Sequence, residues 1–297
     1  MQASSVYSGS FPLRQSVPGV CRRVVLSALF VLCALLASCI DGADKQNRAD
    51  DDLVHARKAM MQREFLEAEK SFERYLRRNP EGKERWEVWN SLVDISLSVR
   101  NARQSAIELL EAMFLEYEDD QDKKRRVSTR LAELYRLSRN YARAVYLWSS
   151  IAEDAAASNN ERAEACRNLA HVYMRRLEFE LAKKSLGDCL ALDIPVAVRS
   201  ECLYDLAQTY VGMDELDNAI EQLRFVLALQ GIPESMRTLT IFMLADAVEQ
   251  QGKNAEAMEL FTSISNAYPN RKVVEERIEE LQKRIAAKAA EPQVKRK

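Results

Sequence analysis

The side chains that could do chemistry are few and scattered. Two histidines, His55 and His171, are all the imidazole in 297 residues. Neither sits in His-Glu-x-x-His spacing, which puts two zinc ligands and a general base on one helix face. The six cysteines show no paired zinc spacing, and the eight glycines form neither a phosphate-cradling loop nor a nucleophile elbow. Carboxylates are plentiful, but they interleave with Lys and Arg as solvated helix faces and intrahelical ion pairs do. No catalytic residue, metal, cofactor or small-molecule substrate is expected. A formal charge of -2, without a basic block interleaved with aromatics, gives no footprint for nucleic acid.

Three groups remain. Arg126, Arg130, Arg136, Arg167, His171 and Arg175, with Asn168 among them, recur at spacings that put several on one helix face. They could form a basic groove for an acidic peptide or a C-terminal carboxylate; the alternative is an ordinary solvated face balanced by Glu133 and Glu164. Cys166, Cys189 and Cys202 form the second group. Cys189 and Cys202 fall near one joint between structural units and are a candidate disulfide, while small cysteines also simply fill helix contacts. Third, Trp86 and Trp89 flank Val88 as core filling or as an exposed aromatic anchor.

The N-terminal segment carries a further cysteine. No acid precedes Asp41, and Arg22-Arg23 leads into the uncharged run Val24–Leu36. Thirteen residues suit a signal-peptide core and fall short of the roughly twenty needed to span a bilayer. Leu36-Ala37-Ser38-Cys39 closes that run and resembles the lipobox of bacterial lipoproteins. The resemblance implies removal of residues 1–38 and lipidation of Cys39, and Ile40 at the next position implies outer-membrane retention. Residues 39–52 are expected to form a lipidated polar tether.

The rest of the chain repeats. Alanines fall at Ala68, Ala106, Ala144, Ala182, Ala219 and Ala257, spaced 38, 38, 38, 37 and 38 residues apart. Twelve positions before each stand Ala56, Asp94, Ala132, Ala170, Ala207 and Ala245. Apolar residues at three-and-four spacing around these positions predict two helices per unit, which approach closely where both carry a small side chain. Fixed-period self-similarity of this length marks a solenoid. Pro80, Pro195, Pro233 and Pro269 fall between units, where proline stops one helix before the next. Val274, Ile278, Leu281 and Ile285 give a final helix, 271–290, one apolar stripe for capping the stack, followed by a basic tail, 291–297.

The skeleton Leu244, Ala245, Ala257, Phe261 and Pro269, with Val248 in place of the usual Tyr, resembles the tetratricopeptide repeat (TPR). The resemblance implies an all-α, right-handed superhelical solenoid of about six helix-turn-helix repeats over residues 53–270. The long period resembles the TPR lipoproteins of bacterial envelopes, including the β-barrel assembly machine lipoproteins and Tol-Pal-associated TPR proteins. It implies a lipid-anchored, non-catalytic periplasmic scaffold whose concave face holds peptides of other envelope proteins, in outer-membrane protein assembly. A pilus or secretin assembly lipoprotein, or a regulatory subunit of a cell-wall synthesis enzyme, stand as alternatives.

Overall fold

The computed structural model describes residues 50–290. The segment expected to be a signal peptide, Cys39, most of the expected tether and the tail 291–297 lie outside the described residues. Every regular element among the described residues is helical. The chain divides into two compact units between Ala102 and Arg103.

The first unit holds α1 (50–61), α2 (Phe65–Arg78), α3 (Arg85–Asp94) and a π-helical turn, Ile95–Val99. Residues 50–52, assigned to the tether by sequence, are helical. Asp52 is nearly buried because Arg74 Nε (3.0 Å) and Arg78 Nη1 (2.6 Å) both donate to its carboxylate. Two charge-assisted hydrogen bonds, one to each carboxylate oxygen, offset the desolvation that would otherwise keep an aspartate in water. Val88 is buried, while Trp86 and Trp89 are half-buried.

The second unit runs through α4 (Arg103–Glu116), α5 (Gln121–Leu137), α6 (Tyr141–Glu153), α7 (Asn159–Arg175), α8 (Phe179–Leu190), α9 (Val196–Gly212), α10 (Leu216–Ala228), α11 (Glu234–Gln250), α12 (Asn254–Ile264) and α13 (Arg271–Ala290). Each helix packs on the next, and α7, α9 and α11 also touch one another in series. The first helices of successive repeats therefore form one layer and the second helices the other. Val274 and Leu281 of α13 are fully buried in the cluster that contains Phe261 and Leu244, so α13 closes this end of the stack.

The repeating alanines explain the layering. All six second-helix alanines, and the five first-helix ones, are 0% exposed. A larger side chain at any of them would push two backbones apart, at a cost of about 1–3 kcal/mol.

The turns inside the repeats are equally regular. Arg63, Asn101, Arg139, Leu177, Asp214 and Gly252 all adopt positive φ, between 49° and 77°. They recur at spacings of 38, 38, 38, 37 and 38 residues, the alanine period, and each follows the end of a first helix. The following amide then reaches back five residues: Asn140 N–H to Tyr135 O (2.8 Å), Glu178 to Tyr173 (2.9 Å), Glu215 to Tyr210 (2.9 Å). This left-handed closure satisfies carbonyls that the helix end would orphan.

The second repeat departs in a way that explains its sequence. There the closing bond runs six residues back, from Ala102 N–H to Ser96 O (2.8 Å). The π-helical turn has absorbed one extra residue. Upstream of it the buried set Val88, Leu92 and Val93 matches Val127, Leu131 and Ala132 at an offset of 39 rather than 38. Val93, not Asp94, therefore fills the small-residue position, and Asp94 is exposed.

Joints between repeats use a repeated arginine. Arg199 donates to Leu190 O (3.2 Å) and Leu192 O (3.1 Å), and Arg162 donates to Ala152 O (3.0 Å). Arg237 donates to Leu227 O (3.4 Å), and in the first unit Arg85 reaches Leu76 O (2.6 Å) and Asn79 O (3.0 Å). A guanidinium placed on the last carbonyls of the preceding helix both caps them and complements the negative end of its dipole.

Candidate functional site

The layer of first helices in the second unit encloses a groove of about 1100 Å³. Its two ends differ in chemistry. Helices α5 and α7 contribute Arg130, Glu133, Arg136, Asn168, His171 and Arg175, with Glu164 at the rim. Helices α9 and α11 contribute Tyr204, Leu239, Phe242 and Met243, joined by Tyr268 from the segment after α12. Met174 lies between the two halves along the chain order of the lining, and Trp148 reaches the groove wall from α6.

Packing fixes the apolar end. Phe242 stacks on Tyr268 with centroids 4.5 Å apart and meets Phe261 edge-on at 5.4 Å. These geometries suit the aromatic quadrupole and hold Phe242 in place from two sides. Tyr204 is mostly buried, and burial pushes its phenol up to about 12, so the hydroxyl stays protonated and able to donate at neutral pH. The one carboxylate at this end, Asp246, is bonded to Arg277 of α13.

At the charged end the arginines differ in what they can offer. Arg136 donates to both oxygens of Glu133, at 2.8 and 2.5 Å, and this bond raises its pKa. The pair is locally neutral. Arg175 is exposed, lines the groove, and makes no ion pair among the described residues. His171 faces the groove while its Nε2 lies 3.2 Å from Asp205 Oδ1.

Of the seven residues nominated by sequence, five line this groove: Arg130, Arg136, Asn168, His171 and Arg175. Arg126 is exposed and lies outside it. Arg167 also lies outside. Its Nε donates to Asp205 at 2.6 Å and its Nη1 to Glu201, so it bridges α7 to α9. Asp205 is only 4% exposed at its side chain, and a carboxylate that deep needs a cation. Helical spacing groups Arg167 with its neighbours but carries no sign of the buried acid one repeat later.

The apolar end was missed from sequence. Leu239, Phe242, Met243 and Asp246 follow i, i+3, i+4, i+7 spacing on α11, whose fully buried residues Leu244, Ala245 and Val248 occupy another face. An apolar helix with two such stripes is the available signal, since one stripe suffices for packing.

Cys189 ends α8 and Cys202 lies in α9. The structure sets their Cα atoms 6.5 Å apart with the sulfurs within bonding distance. Cys166 shares their buried cluster with its thiol free, and burial pushes that thiol up to about 11, far from a reactive thiolate at neutral pH. Among the described residues no group of His, Cys, Asp and Glu is arranged to hold a metal ion, and no helix is long and apolar enough to cross a membrane.

Comparison with known proteins agrees with this architecture. A family model described as tetratricopeptide repeat matches residues 204–271. No curated protein sequence matches the chain. Among solved structures, PilW, described as a widely conserved type IV pilus biogenesis factor, is 16% identical with a TM-score of 0.52, covering 79% of this chain and 98% of its own. PilF of Pseudomonas aeruginosa is 14% identical at a TM-score of 0.50, covering 81% and 99%. The nearly identical TPR-like repeats of a kinesin light chain type from Podosopora anserina are 20% identical at 0.51, covering 71% and 100%. At these identities the likeness speaks for the fold. The chain has the tetratricopeptide-repeat fold of these proteins, and residues 204–271 match the tetratricopeptide-repeat family model.

Proposed function

We propose that this protein is a non-catalytic scaffold that holds a segment of a partner protein in the groove of its second unit. The observation that carries this reading is the groove itself: an open channel walled by the first helices of successive repeats, with side chains left facing it that the packing of the helices does not consume. Some of its polar groups are paired, as Arg136 is with Glu133, and among the described residues that line it none is arranged as nucleophile and base.

The finer reading is a lipoprotein. Lipidation at Cys39, on the strength of Leu36-Ala37-Ser38-Cys39 and the apolar run before it, would fix the scaffold to the periplasmic face of the outer membrane and restrict its partner search to that plane. Assembly of outer-membrane proteins is one process such a scaffold serves. Pilus assembly is the second reading, favoured by the shared fold with PilW and PilF.

Detergent extraction and crosslinking of the full chain, followed by mass spectrometry, tests the proposal. A partner crosslinked to wild type and lost in Phe242→Arg, which places a charge in the apolar end of the groove, supports it. A partner retained equally by that variant removes the groove from the function. Cys39→Ala is expected to fold and to leave the membrane fraction; continued fractionation with membranes would overturn the anchor.

A further inference from the structure

The groove has two chemistries in a fixed order along the stack, and that order specifies what lies in it. This deepens the scaffold reading and rests on it. At the α9–α11 end most of the facing side chains are aromatic or aliphatic, Gln208 is neutral, and the one acid in the lining, Asp246, is paired with Arg277. At the α5–α7 end three arginines face two carboxylates, and Glu133 is closed by Arg136. Arg175 stands there exposed with no ion pair among the described residues, beside His171. Donors without acceptors at one end, and apolar area without a cover at the other, are complementary to different parts of one ligand.

We infer that the groove binds a polypeptide segment carrying an aromatic or large aliphatic anchor at one point and an acidic side chain at another, the anchor against Phe242 and Met243 and the acid against Arg175. The spacing follows from the helix layer. Neighbouring first helices pack about 8–10 Å apart, so α11 and α7, with α9 between, lie on the order of 16–20 Å apart. An extended chain rises roughly 3.3 Å per residue, which separates anchor and acid by about five or six residues.

The charge order also fixes which acid of the protein opposes the ligand. Glu164 is the remaining carboxylate at the cationic end and tunes that end toward neutrality. Removing it therefore strengthens capture of an acidic segment, whereas reversing Arg175 weakens it.

Selection of a phage-displayed random peptide library on the purified protein tests this without knowing the partner. The expected result is enrichment of peptides that pair an aromatic or Leu with Asp or Glu five or six residues away. On Arg175→Glu the acidic position should turn basic or lose its preference, while the anchor persists. On Glu164→Gln the acidic preference should sharpen, with synthetic versions of the selected peptides binding severalfold tighter by fluorescence anisotropy. Enrichment of basic peptides, of apolar peptides indifferent to charge, or of none at all would overturn the inference. The crosslinking comparison with Phe242→Arg is independent of peptide composition, so a partner lost there while the library shows no such pattern leaves the scaffold reading standing and removes only this one.

Discussion

At the scale of the residue, the six positive-φ positions carry the clearest energetic lesson. Only Gly252 among them is glycine; Arg63, Asn101, Arg139, Leu177 and Asp214 hold the same backbone conformation with a Cβ that disfavours it. For an ordinary L-residue the left-handed region costs about 1–2 kcal/mol. Leu177, with three-quarters of its surface exposed, has little packing to lose. Leu177→Gly is expected to raise stability by about 1 kcal/mol, read as a higher unfolding midpoint in urea with an unchanged slope. Gly252→Ala is the mirror test. A Cβ there would meet nothing within 4 Å, so any loss of stability, again about 1 kcal/mol, belongs to the backbone alone. The cysteines give a second residue-scale prediction. In protein lacking residues 1–40, and so lacking Cys21, Cys33 and Cys39, denaturation without reduction should release one reactive thiol, Cys166, with Cys189 and Cys202 bridged. Three reactive thiols would show that those two merely pack side by side.

At the scale of the element, the joints between repeats depend on the arginine that opens each first helix. Arg199 satisfies two carbonyls at the end of α8 that have no helical partner. Arg199→Met preserves the apolar stem and deletes both bonds, and should cost about 1.5–3 kcal/mol by chemical denaturation. This position was not legible as a motif, because Lys124 replaces the arginine at the joint before α5 and lies over the Phe114 ring at 5.2 Å instead. The alanine period was legible for a physical reason: close approach of two helices tolerates one residue size, so Ala144, Ala182 and their equivalents cannot drift. The failure at Asp94 has an equally physical cause. A π-helical turn changes register without changing the local apolar pattern, and only the longer closing bond from Ala102 to Ser96 exposes it. In the groove, spacing alone brought Arg136, His171 and Arg175 together, but it could not separate Arg167, whose charge is consumed by Asp205 on another helix.

At the scale of the whole molecule, the two units are separate compact bodies and the groove belongs wholly to the second. The end of that unit is sealed by α13 through Val274 and Leu281, and through Arg277 and Arg284, which both bind the nearly buried Glu249 at 2.7 and 2.8 Å. Deleting residues 271–297 would bare the apolar face of α12 and leave Glu249 without either cation. The expected outcome is a protein with a lower unfolding midpoint that self-associates in light scattering, since an open solenoid end presents a continuous apolar surface. A truncated chain that stays monomeric and equally stable would mean that the stack ends at α12.

The same terminal helix has a role beyond holding the stack closed. Its Arg277 grips Asp246 in the groove lining, and the segment leading into it supplies Tyr268, on which Phe242 lies. The groove therefore stops where α13 begins, and the length of partner it can span is counted in repeats and ended by one punctuation mark. Exchanging that mark for another repeat would lengthen the phrase the protein can read, without altering any of the letters before it.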